Sequence, residues 1–120
     1  TVTANSDERL KENVVGITNA LDKVLDLRGV YFNRKGDPER SIGVIAQEVE
    51  KILPEVVLEA SDGVKSVAYQ NMVALLIEAI KEQQEQINEL KETVKCQCMD
   101  NEELKDLIRR VCIAERLDNL

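Results

Sequence analysis

The chain has 120 residues, 32% of them charged, and a formal net charge of −7, enough for one compact domain or for a small domain carrying a long helix. No basic stripe interrupts the acidic balance, which argues against nucleic acid and against anionic membrane surfaces as partners. Aliphatic residues dominate the 43% hydrophobic content and only Tyr31, Phe32 and Tyr69 are aromatic, so the composition suits amphipathic helices and an oligomer better than an isolated globule.

The chain opens with a turn at Ser6-Asp7, after which Leu10 to Val15 is expected to run extended. Ile17, Leu21, Val24 and Leu25 recur at helical spacing and predict a short helix over about 18–27, with Thr18 or Asn19 near its start and Gly29 as its stop. Val30-Tyr31-Phe32 reads as a strand, NRKGDPER (33–40) as a turn, and Ile42 to Ile45 as a second brief strand. AQEVEKIL (46–53) places Ile45, Val49, Ile52 and Leu53 on one helical face, ended by Pro54. Residues 56–69 give the clearest hairpin pattern: two Val-rich runs flank Ser61-Asp62-Gly63, a turn that needs positive φ at glycine.

From Asn71 the period changes to seven. Val73, Ile80, Ile87, Val94, Asn101 and Ile108 take the a positions; Leu76, Gln83, Leu90, Gln97, Leu104 and Val111 take d. The register fails after Val111, where Glu115 and Asp118 would enter the seam. Asp100 and Glu103 form a capping pair that would start a separate helix near residue 101, so a continuous coil and a folded-back helical hairpin both fit. So narrow an amphipathic helix needs partner chains or its own domain along the seam. Each buried Ile or Leu contributes about 1.5–3 kcal/mol, so such layers would dominate assembly. β-branched a positions with Leu at d lean towards two strands.

No phosphate-binding loop or metal-ligand cluster is present, the chain has no histidine, and no cofactor or metal is expected. Cys96, Cys98 and Cys112 are expected to be reduced thiols, with an intersubunit disulfide as the alternative. No signal peptide opens the chain and its longest apolar run is far short of a span. The abrupt start at Thr1 suggests a piece of a longer protein.

One constellation remains, in NSDERLKEN (5–13). Ser6 suits a helix cap, with Asp7 and Glu8 complementing the positive end of the dipole and Lys11 solvated. The other reading makes Ser6 a nucleophile. Without histidine its base would be a carboxylate or Lys11, and a lysine serves only when neutral, which near pH 7 takes removal from water. On an ideal helix a spacing of five turns the side chains about 140° apart, so a dyad demands a non-helical bend or a lysine lent by another subunit. The carbonyl of Asn5 is within reach of Ser6 through a five-membered ring, which favours scission of Asn5–Ser6 over Ser6–Asp7.

SDERLKENV (6–14), IGVIAQEVEKILPEVV (42–57) and SVAYQNMVALLIEAIKEQ (66–83), in this order, resemble the C-terminal intramolecular chaperone domain of phage tail spikes, tail fibres and neck appendages, of the endosialidase type. The resemblance covers about residues 6–95 and implies an α+β fold: a small helix/strand domain with a β-hairpin, then a long C-terminal α-helix forming a trimeric coiled coil. It implies a homotrimer in place of the two strands that local rules favour, with Val73, Leu76, Ile80, Gln83, Ile87, Leu90 and Val94 at the interface. It implies that the domain assists folding of its own preceding fibre or tail spike into a triple β-helix and releases itself by autoproteolysis, with Ser6 and Lys11 as catalytic dyad and Asn5–Ser6 as cleavage site. Residues 1–5 are then a remnant of the fibre, 6–70 the chaperone and autoprotease region with arms around 30–40 and 56–69, and 71–120 the trimerisation helix. The implied setting is the host cytoplasm during virion assembly. The competing expectation is a permanent coiled-coil trimerisation module without peptidase activity.

Overall fold

The computed structural model describes residues 1–97 and 102–114. A 3-10 turn at Glu8–Leu10 precedes helix α1 (Ala20–Leu25), strands β1 (Val30–Asn33) and β2 (Arg40–Gly43), and helix α2 (Ala46–Glu50). A 3-10 turn at Pro54–Val56 leads into β3 (Val57–Glu59) and β4 (Lys65–Val67). A last 3-10 turn, Tyr69–Asn71, runs into the long helix α3 (Met72–Gln97), and α4 (Glu102–Ala114) follows. The fold is α+β: two antiparallel hairpins, short helices and one long helix.

The hairpin expected over 56–69 forms, with Val57 opposite Val67 and Glu59 opposite Lys65. Gly63 at φ 86° closes its loop, its N–H donating to the Ala60 carbonyl at 2.9 Å. That left-handed conformation is why glycine stands there. The segments read as separate strands at 30–32 and 42–45 make a second hairpin, Val30 opposite Gly43 and Asn33 opposite Arg40. Its second strand starts two residues earlier than expected, at Arg40, because pairing with β1 sets the register. The Arg40 guanidinium lies 3.7 Å from the centroid of the exposed Tyr31 ring. Tyr69 reaches back to this hairpin, its Oη accepting from the Val44 N–H at 3.1 Å. A β-carbon on Gly43 would meet that oxygen at 2.6 Å, so the close approach requires glycine.

Three local expectations are corrected. Leu10–Val15 is not a strand: Leu10 closes the 3-10 turn and Asn13 takes φ 55°. The helix expected over 18–27 spans only Ala20–Leu25, ending before Gly29. Its N-cap, Asn19, sits at φ 54° and makes no side-chain cap bond. Glu82 of α3 supplies one, its Oε2 accepting from the Leu21 N–H at 3.0 Å. The helix expected to run to Leu53 stops at Glu50, ahead of Pro54.

Ala20, Val49, Leu53, Val56, Leu75 and Ala79 form the core, with Ile17, Leu21, Val24, Leu27, Val44 and Met72 packed around it. The Lys65–Glu50 ion pair (2.5 Å) ties β4 to α2. α3 thus presents Leu75 and Ala79 to its own domain, while Val73, Leu76, Ile77 and Ile80 are 45–66% exposed on the other side. The radius of gyration is 20.6 Å, against about 14 Å for a compact domain of this length. The accessible surface is 10258 Å², against about 6,500 Å² for a compact monomer of this mass.

The long helix does not continue as one coil. Ile87, Leu90 and Val94 of α3 share an apolar cavity with Leu107, Ile108 and Val111 of α4. A straight continuation would carry residue 108 about 20 Å beyond residue 94, so α4 folds back and the pair is a helical hairpin. Gln83 and Gln97 are exposed; Asn101, Asp100, Glu115 and Asp118 lie outside the described residues. Cys96 is a free, exposed thiol and Cys112 a free, buried one, whereas Cys98 lies outside the described residues.

Candidate active site

The 3-10 turn at Glu8–Leu10 decides the geometry of the N-terminal segment. Asp7 caps it, its Oδ1 accepting from the Arg9 N–H at 2.9 Å. The Leu10 N–H donates to the Asp7 carbonyl and the Lys11 N–H to that of Glu8, at 3.0 and 3.1 Å. Lys11 then leaves the turn in extended backbone, φ −120° and ψ 144°. A tight turn followed at once by an extended residue swings its side chain back over the start of the segment. Lys11 Nζ donates to Ser6 Oγ at 2.7 Å. The bend that a spacing of five requires is present within a single chain, and the cap that sequence reasoning offered to Ser6 belongs to Asp7.

Ser6, Lys11 and Asn5 are all exposed in the single chain. The bond as it stands has the amine donating, whereas a general base must accept the serine proton, so the same geometry serves catalysis only with a neutral amine. Leu10, Val14 and Val15 lie close by in sequence and are 70%, 76% and 84% exposed. Downstream of the dyad, Val15, Gly16 and Ile17 line a cleft of about 420 Å³ with Leu53, Val56 and Leu75.

Asp7 and Glu8 bear on Lys11 through the turn that they build. Asp7 Oδ1 and Oδ2 accept from Arg9 Nε and Nη2 at 3.1 and 2.9 Å. The Arg9 guanidinium holds the Asp7 carboxyl below the usual carboxylate range, its backbone bond to Arg9 adding to this. A lowered pKa in the folded segment means stabilisation that is full above the unfolded value and lost as pH falls through the lower one. The turn is therefore expected to persist on acidification past the point where a free aspartate protonates. The residue 9 amide shift, followed by NMR, should titrate with a lower midpoint in the wild-type chain than in an Arg9→Ala chain. Equal midpoints would dismiss the pairing. Sequence reasoning missed the Asp7–Arg9 bridge; its signal is the Asp-x-Arg spacing, which meets across a 3-10 turn.

Among the described residues no cluster of His, Cys, Asp and Glu could hold a metal ion, and no helix is long and apolar enough to cross a membrane.

Residues 6–58 match the family described as chaperone of endosialidase, which is named as a peptidase family. Among curated proteins, the chain is similar to the long tail fiber protein Gp37 of Salmonella phage S16, 37% identical over 88% of this chain and 15% of that protein. The protein of the same name from Enterobacteria phage K3 is 39% identical over 71% of this chain and 8% of its own length. That of Enterobacteria phage M1 is 39% identical over 72% of this chain and 38% of its length. The chain thus corresponds to well under half of each relative.

Proposed function

We propose, on the premise that residues 6–58 belong to the endosialidase-chaperone family, that this chain is an intramolecular chaperone that trimerises, assists folding of the fibre preceding it, and cuts itself free at Asn5–Ser6. The observation that carries the proteolytic half is the 2.7 Å approach of Lys11 Nζ to Ser6 Oγ.

In the proposed reaction a neutral Lys11 takes the proton of the Ser6 hydroxyl while Oγ bonds to the Asn5 carbonyl carbon. The C–N bond of Asn5–Ser6 then breaks, the Ser6 nitrogen receives the proton from Lys11, and an ester joins Asn5 to Oγ. Water hydrolyses the ester, leaving a carboxylate on Asn5 and a free amine on Ser6. The amine becomes neutral when assembly withdraws it from water. The exposed Leu10, Val14 and Val15 are apolar surface for neighbouring copies to cover.

The fibre-assisting half rests on the family and on relatives named as tail fibre proteins. Its partner is the polypeptide upstream of Ser6, its setting virion assembly in the host cytoplasm. Association rests on the exposed a and d stripe of Val73, Leu76 and Ile80, and the count of three on the family resemblance, since the stripe by itself leans towards two strands. The chain expressed behind its natural fibre should yield two products by mass spectrometry, one ending at Asn5 and one beginning at Ser6. A cut after Ser6 would move the reaction to the other bond. A single uncut, assembled product would make the chain a permanent trimerisation module.

A further inference from the structure

Helix α4 covers the distal part of the α3 seam and covers it loosely. Between Ile87, Leu90 and Val94 on one side and Leu107, Ile108 and Val111 on the other lies a cavity of about 230 Å³ with apolar walls. Leu90 remains 63% exposed, Leu107 49% and Val111 38%. A permanent helix pair closes such a groove, because apolar lining left open to solvent gains neither full burial nor full dispersion contact.

The three covered α3 residues continue the a and d register of Val73, Leu76 and Ile80, which α4 leaves bare. A side chain that faces α4 cannot at the same time enter the hole offered by the α3 helix of another copy. Closing the seam from Val73 to Val94 therefore requires α4 to leave.

We infer that α4 is an exchangeable cover: it occupies the Ile87–Val94 half of the seam in the single chain, and the α3 helices of other copies displace it on assembly. This rests on the proposed trimerisation. Association then starts at the bare Val73–Ile80 half, next to the domain that carries Ser6 and Lys11, and closes towards residue 94. Unassembled chains meanwhile keep Ile87 and Val94 partly out of water, while Leu90 stays largely exposed.

Two measurements on the full chain test it. Leu107→Glu with Ile108→Glu weakens the cover without touching α3, so the concentration at half association, read by sedimentation, should fall about tenfold; a trimer's dissociation constant goes as concentration squared, so that is about a hundredfold in the constant, the equivalent of about 2.8 kcal/mol per trimer. An unchanged or higher concentration overturns the inference, since α4 would then stand apart from the assembled interface or within it. Hydrogen exchange on the wild-type chain gives the second readout. On assembly the amides of 80–94 should gain protection while those of 102–114 lose it; added protection in 102–114 also overturns the inference. If wild-type chain and variant both stay monomeric at every concentration, the trimer reading falls, and the exchangeable cover with it.

Discussion

A Ser6→Ala chain expressed behind its natural fibre is expected to accumulate as a single full-length product, assembled like the wild type. The substitution removes the atom that opens the proposed mechanism by attacking the Asn5 carbonyl, without which no ester forms for water to hydrolyse, so cleavage should be absent rather than slow. Ser6 is exposed and the turn cap belongs to Asp7, so folding should be indifferent to the change. Lys11→Ala should slow cleavage by about 10²–10⁴-fold, the usual range for losing a general base. Lys11→Arg should do no better, because a guanidinium keeps its proton in proteins. The masses of products collected over time check all three. Wild-type cleavage rates in Ser6→Ala would refute the assignment of the nucleophile, whatever the state of assembly.

The second large effect separates the two sides of α3. Ile80→Asp should leave the domain folded and abolish association, since Ile80 is 66% exposed in the single chain but sits at an a position. Three carboxylates converging in a seam carry a desolvation cost and mutual repulsion that the apolar layers on either side cannot offset. Leu75→Ala should do the opposite damage. Leu75 is 1% exposed, in a core of six buried residues. Truncating it costs about 2–5 kcal/mol, against a total of about 5–15 kcal/mol for a typical domain. Circular dichroism melts and sedimentation together distinguish them: Ile80→Asp gives a folded monomer, Leu75→Ala a chain that melts early or not cooperatively. Association of Ile80→Asp at wild-type concentrations would place the seam on another face.

Both outcomes bear on how function would be coupled to assembly. Residues 15–18, just after the dyad segment, and Leu75 of α3 line one cleft, and α3 also caps α1 through Glu82.

Short-range chemistry was legible in the residues. The Ser61-Asp62-Gly63 turn and the helical period from Asn71 follow from local rules, because dihedral preference and side-chain period act over a few positions; for Ser6 and Lys11 those rules favour a cap and a solvated lysine, and the dyad comes from the family resemblance. Some failures were local, at the 3-10 turn of Glu8–Leu10 and at the early end of α2; the others arose over distance. The helix around residue 20 was read too long because its N-terminus is capped from Glu82, 61 residues beyond Leu21. The two strands at 30–33 and 40–43 acquired their register only by pairing. A heptad pattern states which side chains need burial without naming what buries them. Leu75 and Ala79 went to the domain's own core, and Ile87, Leu90 and Val94 to α4. The residue types and spacings alone determined that a Ser6–Lys11 dyad would need a non-helical bend, while favouring a cap at Ser6, and that α3 carries an apolar stripe. Only tertiary structure decided how the bend is made and which half of the stripe the chain covers itself, because burial is settled by the surfaces that meet in space.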